Sequence, residues 1–479
     1  MKSLRLFALA SVATLAACAD TPVQPEITAV EASRGRAPVV ADAGGRYIIE
    51  FNGAPPRAFA TRVAALGGSV VSTHAAGIAI VSGLSGKQAA DLGRTPGIQS
   101  VLPDVRISVA PAAIAHQRLD ASANVADQSQ ANPAGSILYG WQWNLHAVSA
   151  PAAWSAGRLG DPDVTVAILD TGLDYDNRDL RTLVDLDRSV SFVEMDDDTL
   201  SHYFGPGWHP VTDLNGHGTN VAAQVSSVAF AFAGVTSRTT LIGVKVLDQN
   251  GSGDFADLLV GVLHAADVGA DVINLSLGFP GGLPRQQGGS YISLINRIFN
   301  YAYRSGALVV VSAGNEGDDM DHDGPILRAF CQAPNVVCVS ATGPASSADI
   351  FVGPWNDIDA FAPYSNYGRS SVSVAAPGGN NGGYVWSFCA RHAPWPFGVG
   401  QSPKFPCLGG GSLIGMAGTS QAAPHVTGIA ALIVAEQGKG NPARVRRALI
   451  SSADDLGQPG TDPQYGRGRV NAARAIGLD

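Results

Sequence analysis

The sequence predicts an α/β protein in which helices cover both faces of a parallel sheet. From residue 140 onward, continuous apolar stretches suited to buried strands recur, at 164–169, 240–247, 272–277 and 308–311. Two segments with helical periodicity, 258–268 and 291–304, lie between them. Strands that are apolar on both sides fit a parallel sheet, because helices shield both of its faces. We therefore predict one large domain over residues 140–479.

The first 18 residues are predicted to be a signal peptide. Lys2 and Arg5 precede an apolar stretch at 6–17, and Cys18 directly follows Leu-Ala-Ala. This arrangement resembles the lipobox of bacterial lipoproteins, in which the cysteine carries the lipid. An ordinary secretory signal is the alternative. We predict export, with the protein either held at the cell envelope through Cys18 or secreted after processing.

A small domain is predicted between the signal peptide and the large domain. Residues 19–44 are rich in Pro, Ala and Thr and are typical of a flexible tether. Residues 45–109 show the order βαββαβ, with a last strand within 98–109, which predicts a two-layer ferredoxin-like α+β domain. Residues 110–139 have few bulky groups and are predicted to be a linker that contains a maturation cut.

Charge and hydropathy argue against a nucleic-acid partner and against a membrane span after the N-terminal segment. The 479 residues carry a net charge of -9, which argues against nucleic acid as the main partner. No stretch of about 18 apolar residues follows the N-terminal segment, so no membrane span is predicted there.

The cysteines are predicted to form two disulfides. Without Cys18, four of the five cysteines remain, an even number in a chain predicted to be exported. Of the three possible connectivities, the pairs Cys331–Cys338 and Cys389–Cys407 are the simplest. Zinc is the competing interpretation, but no histidine or cysteine spacing supports it.

Three polar residues at predicted element ends are candidates for chemistry. Asp170 directly follows the strand at 164–169, and strand ends are where such sheets place functional groups. His217 lies between Gly216 and Gly218, where it has little to pack against. Ser420 precedes an Ala-rich apolar stretch predicted to be a buried helix, with Pro424 expected in its first turn. Taken alone, Asp170 could simply cap a turn and Ser420 could simply cap the helix.

Together these motifs resemble the signatures of the subtilisin-like serine proteases, the subtilases. The matching segments are Asp170-Thr171-Gly172, His217-Gly218-Thr219, Gly418-Thr419-Ser420 and Ala422-Ala423-Pro424-His425. Their order, Asp, His, Ser, is the one found in subtilisin. Two further segments resemble the family's substrate-cleft and oxyanion segments, namely Ser276-Leu277-Gly278 and Ser312-Ala313-Gly314-Asn315. Residues 45–109 resemble the family's inhibitory propeptide.

The resemblance implies a serine endopeptidase. Asp170, His217 and Ser420 would form the catalytic triad, and the Asn315 amide and Ser420 N–H would form the oxyanion hole. No cofactor would be required, the substrates would be proteins or peptides, and the propeptide would be an intramolecular inhibitor. Neither cleft segment contains a carboxylate, so we expect a preference for apolar or aromatic residues before the scissile bond, at P1.

The sequence departs from the family pattern at three positions beside these motifs. Asn220 stands where the family usually has His, Ala223 where it has Gly, and Gln421 where it has Met. None of the three is a catalytic group, so they bear on specificity more than on chemistry.

A possible calcium loop follows the oxyanion segment. Asp319, Asp321 and Asp323 are spaced as in the D-x-D-x-D-G start of such loops, but Phe330 stands where the closing glutamate belongs. A solvated acidic loop is the alternative. Asp179 resembles a ligand of another calcium site of the family, although the Asn-rich loop that accompanies it there is not found after His217.

Two other functions compete with the peptidase. An α/β-hydrolase esterase would carry G-x-S-x-G before its Asp and His, whereas Ser420 is followed by Gln421-Ala422 and comes last. A non-catalytic subtilase fold that serves as a binding lipoprotein is the second, and the intact triad and Asn315 argue against it.

Overall fold

The fold is described from a computed structural model. It describes residues 27–29, 45–109, 112–118, 132–322, 324–393, 407 and 412–478. The strands are β1 (Ile27–Ala29), β2 (Tyr47–Phe51), β3 (Ser69–His74), β4 (Ile78–Ser82), β5 (Ile98–Pro103), β6 (Arg106–Ser108), β7 (Ala113–Arg118), β8 (Thr165–Asp170), β9 (Val190–Ser191), β10 (Thr240–Lys245), β11 (Ser252–Asp254), β12 (Val272–Leu275), β13 (Leu283–Pro284), β14 (Leu308–Ser312), β15 (Ile326–Leu327), β16 (Val337–Thr342), β17 (Ser346–Ser347), β18 (Trp355–Asn356), β19 (Val374–Pro377), β20 (Val385–Phe388) and β21 (Ser412–Ala417). The helices are α1 (Phe59–Ala65), α2 (Gly86–Gly93), α3 (Trp143–Ala147), α4 (Ala150–Ser155), α5 (Glu194–Phe204), α6 (His217–Val225), α7 (Phe255–Asp267), α8 (Arg285–Arg304), α9 (Thr419–Gln437), α10 (Pro442–Ser451) and α11 (Ala472–Ala475).

A seven-stranded sheet forms the centre of the large domain, in the order β19-β16-β14-β12-β8-β10-β9. All six pairings are parallel. Alternate side chains of β8 enter two different cores: Val166 and Ile168 pack with α6 and α9, whereas Ala167 and Leu169 pack with α7 and α8. The predicted parallel sheet with helices on both faces is confirmed.

The small N-terminal domain is a four-stranded antiparallel sheet, ordered β3-β4-β2-β5, with helices α1 and α2. The predicted order βαββαβ is therefore present. One face of the sheet, including Ile49 and Phe51, packs against its own two helices. The other face, including Ile48 and Ile80, joins the core formed by α7 and α8 of the large domain.

Two segments differ from the sequence prediction. The stretch 98–109 forms two strands, and the second one, β6, leaves the small sheet and pairs with β11 of the large domain. The predicted linker at 110–139 contains the strand β7, which pairs with β21 on one side and with β1 on the other. Both β6 and β7 therefore pair with strands of the large domain before that domain begins in sequence.

Both predicted cysteine pairs lie at disulfide distance. The Cα atoms are 5.1 Å apart for Cys331–Cys338 and 5.6 Å apart for Cys389–Cys407. Cys18 lies outside the described residues. Within the described part of the chain, no helix combines the length and the apolar character that crossing a membrane requires.

Candidate active site

Asp170 and His217 form a buried pair at one end of the central sheet. Asp170 is the last residue of β8, and His217 is the first residue of α6. The Nδ1 atom of His217 lies 2.8 Å from Oδ1 of Asp170 and 3.0 Å from Oδ2. Because an ionised carboxylate can only accept, Nδ1 carries the proton and donates it. In neutral histidine this leaves Nε2 as the acceptor.

Two glycines allow this close approach. Gly172 has φ +111°, and a Cβ there would lie 2.3 Å from the carbonyl oxygen of Val211. A Cβ on Gly218 would lie 2.2 Å from the carbonyl oxygen of Gly172. Any side chain at either position would therefore force the aspartate and histidine segments apart. This explains physically why glycine follows Asp170-Thr171 and His217.

Ser420 lies in the first turn of α9, with its side chain buried. Pro424 lies inside this helix and not in its first turn, which corrects the sequence expectation. A residue there would normally donate its N–H to the carbonyl of Ser420, and proline has none. The Ser276 hydroxyl supplies the missing donor, with its Oγ 2.9 Å from Ser420 O. Proline is therefore tolerated inside this helix, because Ser276 of the cleft segment donates to the Ser420 carbonyl that the proline leaves unpaired.

The serine hydroxyl and the histidine acceptor do not bond to each other in this structure. Ser420 Oγ donates to the carbonyl of Ser276 at 3.1 Å. His217 Nε2 is buried and has no hydrogen-bond partner among the described residues. A buried acceptor without a partner is costly, so a donor that reached it would be held firmly.

Asn315 lies next to the start of the serine helix. Its Oδ1 accepts from the Thr419 backbone N–H at 2.8 Å and from the Thr419 hydroxyl at 2.9 Å. Thr419 in turn accepts from Gly314 N–H at 3.0 Å through its hydroxyl oxygen. These bonds fix which end of the amide is the acceptor, so the NH₂ end points away from Thr419.

The predicted substrate-binding segments meet in one cleft with a volume of about 290 Å³. Its lining includes the predicted residues Leu277, Gly278, Ser312, Ala313, Gly314, Asn315 and Ser420. Ser276 contacts Ser420 directly. Apolar side chains from Phe279 and Phe330 also line the cleft. The segments converge because β8, β12 and β14 are neighbours in the sheet and end at the same edge.

The cleft also contains a charged pair that sequence reasoning missed. Glu316 and Arg328 line it, and their side chains pair at 3.1 Å. Arg328 additionally pairs with Asp318, and its side chain is only 9% exposed. Arg328, 12 residues further along the chain, therefore neutralises the Glu316 carboxylate next to Asn315. No sequence motif marks this pairing.

A buried lysine also supports the site. Lys245 Nζ donates to the carbonyls of Thr171 at 2.6 Å and Thr212 at 3.0 Å, and it pairs with Asp196 at 2.8 Å. Both charged side chains are fully buried. Lys245 thus fixes the backbone beside Asp170. In the sequence, only the position of Lys245 at the end of the apolar strand β10 indicates that this lysine is buried. Its partner Asp196 lies in an acidic segment that no motif marks.

The departures from the family pattern are accommodated inside the protein. The Asn220 side chain accepts from Gln224 Nε2 at 2.7 Å, and Gln421 Nε2 lies 3.5 Å from the sulfur of Met416. Asn220, Ala223 and Gln421 are all buried. They therefore belong to the packing behind the site.

The candidate calcium ligands have other partners. Asp319 accepts from the His322 side chain at 2.9 Å, and Asp321 accepts from the backbone and hydroxyl of Ser370. Asp323 lies outside the described residues. Asp179 accepts four hydrogen bonds, from the backbone of Phe230 and Ala231 and from Ser227. Donors surround these carboxylates where calcium would need oxygen ligands, and no cluster of three metal-ligating side chains forms within the described residues.

The chain matches known proteins over most of its length. The profile of the subtilase family matches residues 161–468. A thermophilic serine proteinase of Bacillus sp. (strain AK1) is 30% identical over 348 residues, which are 72% of this chain and 69% of that protein. Thermitase of Thermoactinomyces vulgaris is 30% identical over 338 residues, 70% of this chain and 95% of thermitase.

A solved structure extends the likeness in fold. The crystal structure of the epidermin leader peptide processing serine protease from Staphylococcus aureus aligns with a TM-score of 0.64 at 21% identity, covering 91% of this chain and 98% of that one. At this identity the likeness concerns the fold alone.

The chain belongs to the subtilase family. It is a subtilisin-like serine endopeptidase, as the family match and the relatives over about 70% of its length show.

Proposed function

We propose that the protein cleaves peptide bonds through an acyl-enzyme on Ser420, with His217 as general base and Asp170 as the residue that orients it. One observation carries the assignment: a fully buried histidine donates through Nδ1 to Asp170, while its other nitrogen is buried and has no hydrogen-bond partner within the described part of the chain. That arrangement prepares Nε2 to take a proton.

The first chemical step needs the serine hydroxyl to change its hydrogen-bond partner. Ser420 Oγ leaves the carbonyl of Ser276 and turns to His217 Nε2, which takes its proton as Oγ attacks the substrate carbonyl. The positive charge that forms on the imidazole is stabilised by Asp170. His217 then gives the proton to the leaving amine, and water hydrolyses the acyl-enzyme by the same proton path.

The oxyanion is bound at the start of α9. The Asn315 NH₂ and the Ser420 backbone N–H donate to it, and the helix N-terminus favours negative charge there. Because Thr419 holds the Asn315 oxygen, the amide does not need to reorient during the reaction. No metal takes part in these steps.

We further propose that residues 45–109 inhibit the uncut chain. Charged contacts across the boundary with the large domain support this. They pair Arg46 with Asp254 and Asp257, Glu50 with Arg297, and His74 with Asp267. Strand β6 then places Ser108 and Val109 in the cleft beside Ser420. A cut after this segment would open the cleft.

Export remains part of the proposal, on the evidence of the N-terminal sequence. Residues 1–18, with Cys18 as the lipidated residue, would send the chain across a bacterial membrane. The final location would be the cell envelope or, after the propeptide is lost, the medium.

The proposed function is tested with inhibitors of different protease classes on the purified enzyme, after the full chain has matured. We expect hydrolysis of an unfolded protein to stop with a serine-reactive sulfonyl fluoride and to continue with a metal chelator or a thiol reagent. Hydrolysis that stops with the chelator but continues with the sulfonyl fluoride would contradict the assignment. The same chelator sample tests structural calcium: an unchanged melting temperature would remove calcium from the account.

The cleft predicts a preference for apolar or aromatic residues at P1. Because Arg328 neutralises Glu316, a substrate lysine finds no unpaired carboxylate among the described residues that line the cleft. We expect Arg328→Gln to raise kcat/KM for lysine at P1, relative to phenylalanine, by about fivefold, the size of a partly exposed ion pair. Matched peptide pairs measure this ratio, with the exposed Arg304→Gln as control. Cleavage mainly after lysine or arginine by the unmodified enzyme would refute the prediction.

The pH dependence of the uncut chain should report on Asp104. This residue lies between the two domains, where it accepts from the backbone N–H of Ala256 at 2.8 Å. Burial raises the pKa of Asp104 from 3.8 to about 7, although Ala256 and Arg46 oppose the shift. The folded chain therefore keeps a proton that the unfolded chain loses, so the free energy of unfolding falls as pH rises from about 4 to about 7.

Denaturant unfolding of the uncut Ser420→Ala chain across this pH range measures the effect. Asp104→Asn imitates the protonated acid, so it should flatten the decrease, and the gap between the two chains should widen towards pH 7. A constant gap at all pH values would contradict the role of Asp104.

A further inference from the structure

The edge of β21, just before Ser420, is covered by the protein's own chain. Strand β7 pairs with it antiparallel along six residues, from Ala113 opposite Ala417 to Arg118 opposite Ser412. The Ala112 N–H also donates to the Ala417 carbonyl at 2.8 Å. Backbone bonds of this kind hold any extended polypeptide, whatever its sequence.

The same chain approaches Ser420 from the other side of the cleft. Ser108 and Gly278 exchange two backbone hydrogen bonds, at 2.9 and 3.0 Å, and the Val109 N–H donates to Gly251 O at 2.9 Å. The direction of the chain runs from Gly278 towards β21. A substrate bound in the same direction would place its residues C-terminal to the scissile bond along β21.

One side chain of β7 enters an apolar pocket. Ile114 lies opposite Met416 and is 6% exposed. It packs in a cluster with Cys389, Ala390, Ala393, Cys407, Ile414 and Met416. The next residue, Ala115, points to the opposite face and joins the large core. Of the β7 side chains that the structure describes, Ile114 alone joins this cluster, and the Cys389–Cys407 disulfide forms part of the pocket wall.

From this geometry we infer an aliphatic subsite on the leaving-group side of the scissile bond, and we call it the β21 subsite. It is the pocket where Ile114 lies. An extended protein substrate would replace β7 on the free edge of β21 and insert one Val, Ile or Leu side chain into this pocket. The inference rests on the proposed peptidase function. It adds a preference for one substrate side chain that lies C-terminal to the scissile bond and several residues away from it.

Two properties favour a substrate as the occupant. An uncovered six-residue strand edge readily takes up another strand. Catalysis also requires Ser108 and Val109 to leave the cleft, and we expect β7, which follows them in the chain, to leave β21 with them. Only two residues, Gly418 and Thr419, separate Ala417 at the end of β21 from Ser420.

Internally quenched peptides test the β21 subsite on the enzyme obtained when the full chain matures. All share one P1 residue and carry eight residues after it, in which a single isoleucine or aspartate moves from the second to the seventh position. We expect kcat/KM to favour isoleucine by about tenfold or more at one position, the size of an apolar pocket contact. Peptides that end before that position should lose the preference.

Ile414→Ala gives an independent readout, because it enlarges the pocket on the same face of β21 as Met416. It should shift the preference at that one position from isoleucine to phenylalanine, while hydrolysis of the short peptides stays within about twofold. A flat profile in the unmodified enzyme, with hydrolysis present, would overturn the β21 subsite alone. No hydrolysis of any peptide would overturn the proposed function together with it.

Discussion

Replacing Ser420 by alanine is expected to lower kcat for peptide hydrolysis by about a millionfold. In the proposed mechanism the Ser420 hydroxyl is the nucleophile, whereas the neighbouring Thr419 hydroxyl is held by Asn315 and Gly314. The magnitude is the one known for subtilisin, a member of the same family, and does not follow from the present geometry. Residual hydrolysis above water should persist, because the oxyanion donors and the cleft remain.

Folding should be almost unaffected by this change. The Ser420 hydroxyl makes one hydrogen bond, to the carbonyl of Ser276, so Ser420→Ala should lower the free energy of unfolding by about 1 kcal/mol at most. Ser451→Ala, on an exposed position of α10, is the matched control and should keep full activity. A folded Ser420→Ala enzyme with more than about a hundredth of the original kcat would contradict the assignment.

Removing the Asn315 amide is expected to lower kcat by about 100- to 1000-fold with little change in KM. In the proposed mechanism the NH₂ stabilises negative charge that exists only in the transition state, so substrate binding should not depend on it. This range also comes from subtilisin. Steady-state kinetics on a single peptide separates kcat from KM.

Two variants separate this role from a structural one. Asn315→Ala removes both ends of the amide, including the acceptor for Thr419. Asn315→Asp keeps an acceptor oxygen for Thr419 but has no N–H to donate. Equal losses of kcat in both variants would support the oxyanion role, whereas near-normal kcat in Asn315→Asp would show that Asn315 only holds Thr419. Asn356→Ala, on the exposed strand β18, is the control.

The sequence allowed the large domain to be predicted because its strands are apolar on both faces. Val166 to Leu169 alternate between two cores, and only a sheet covered on both sides requires that pattern. The end of the small domain could not be predicted in the same way. Residues 98–109 look like one strand, but their second half pairs with Ser252–Asp254, a partner about 145 residues away that contributes a glycine and no apolar pattern.

The triad candidates were predictable because local motifs mark them. Asp170 and His217 are 47 residues apart, yet a glycine that the site requires follows each of them closely. Gly172 has a positive φ, and Gly218 packs directly against the Gly172 carbonyl. The supporting groups lack such marks. Lys245 and Asp196, or Glu316 and Arg328, are ordinary charged residues until the fold brings them together. Aspartates spaced as in Asp319 and Asp321 also form turns through their own backbone and neighbours, so spacing alone cannot distinguish such a turn from a metal loop.

The most direct test of the central claim is the position of a fluorophosphonate adduct on the matured enzyme. The probe reacts with a serine only if a base takes its proton as the bond forms. Mass spectrometry of the digested protein should place one adduct on Ser420, with labelling lost in Ser420→Ala and strongly reduced in His217→Ala. An adduct on another residue, or equal labelling of the Ser420→Ala chain, would contradict the account.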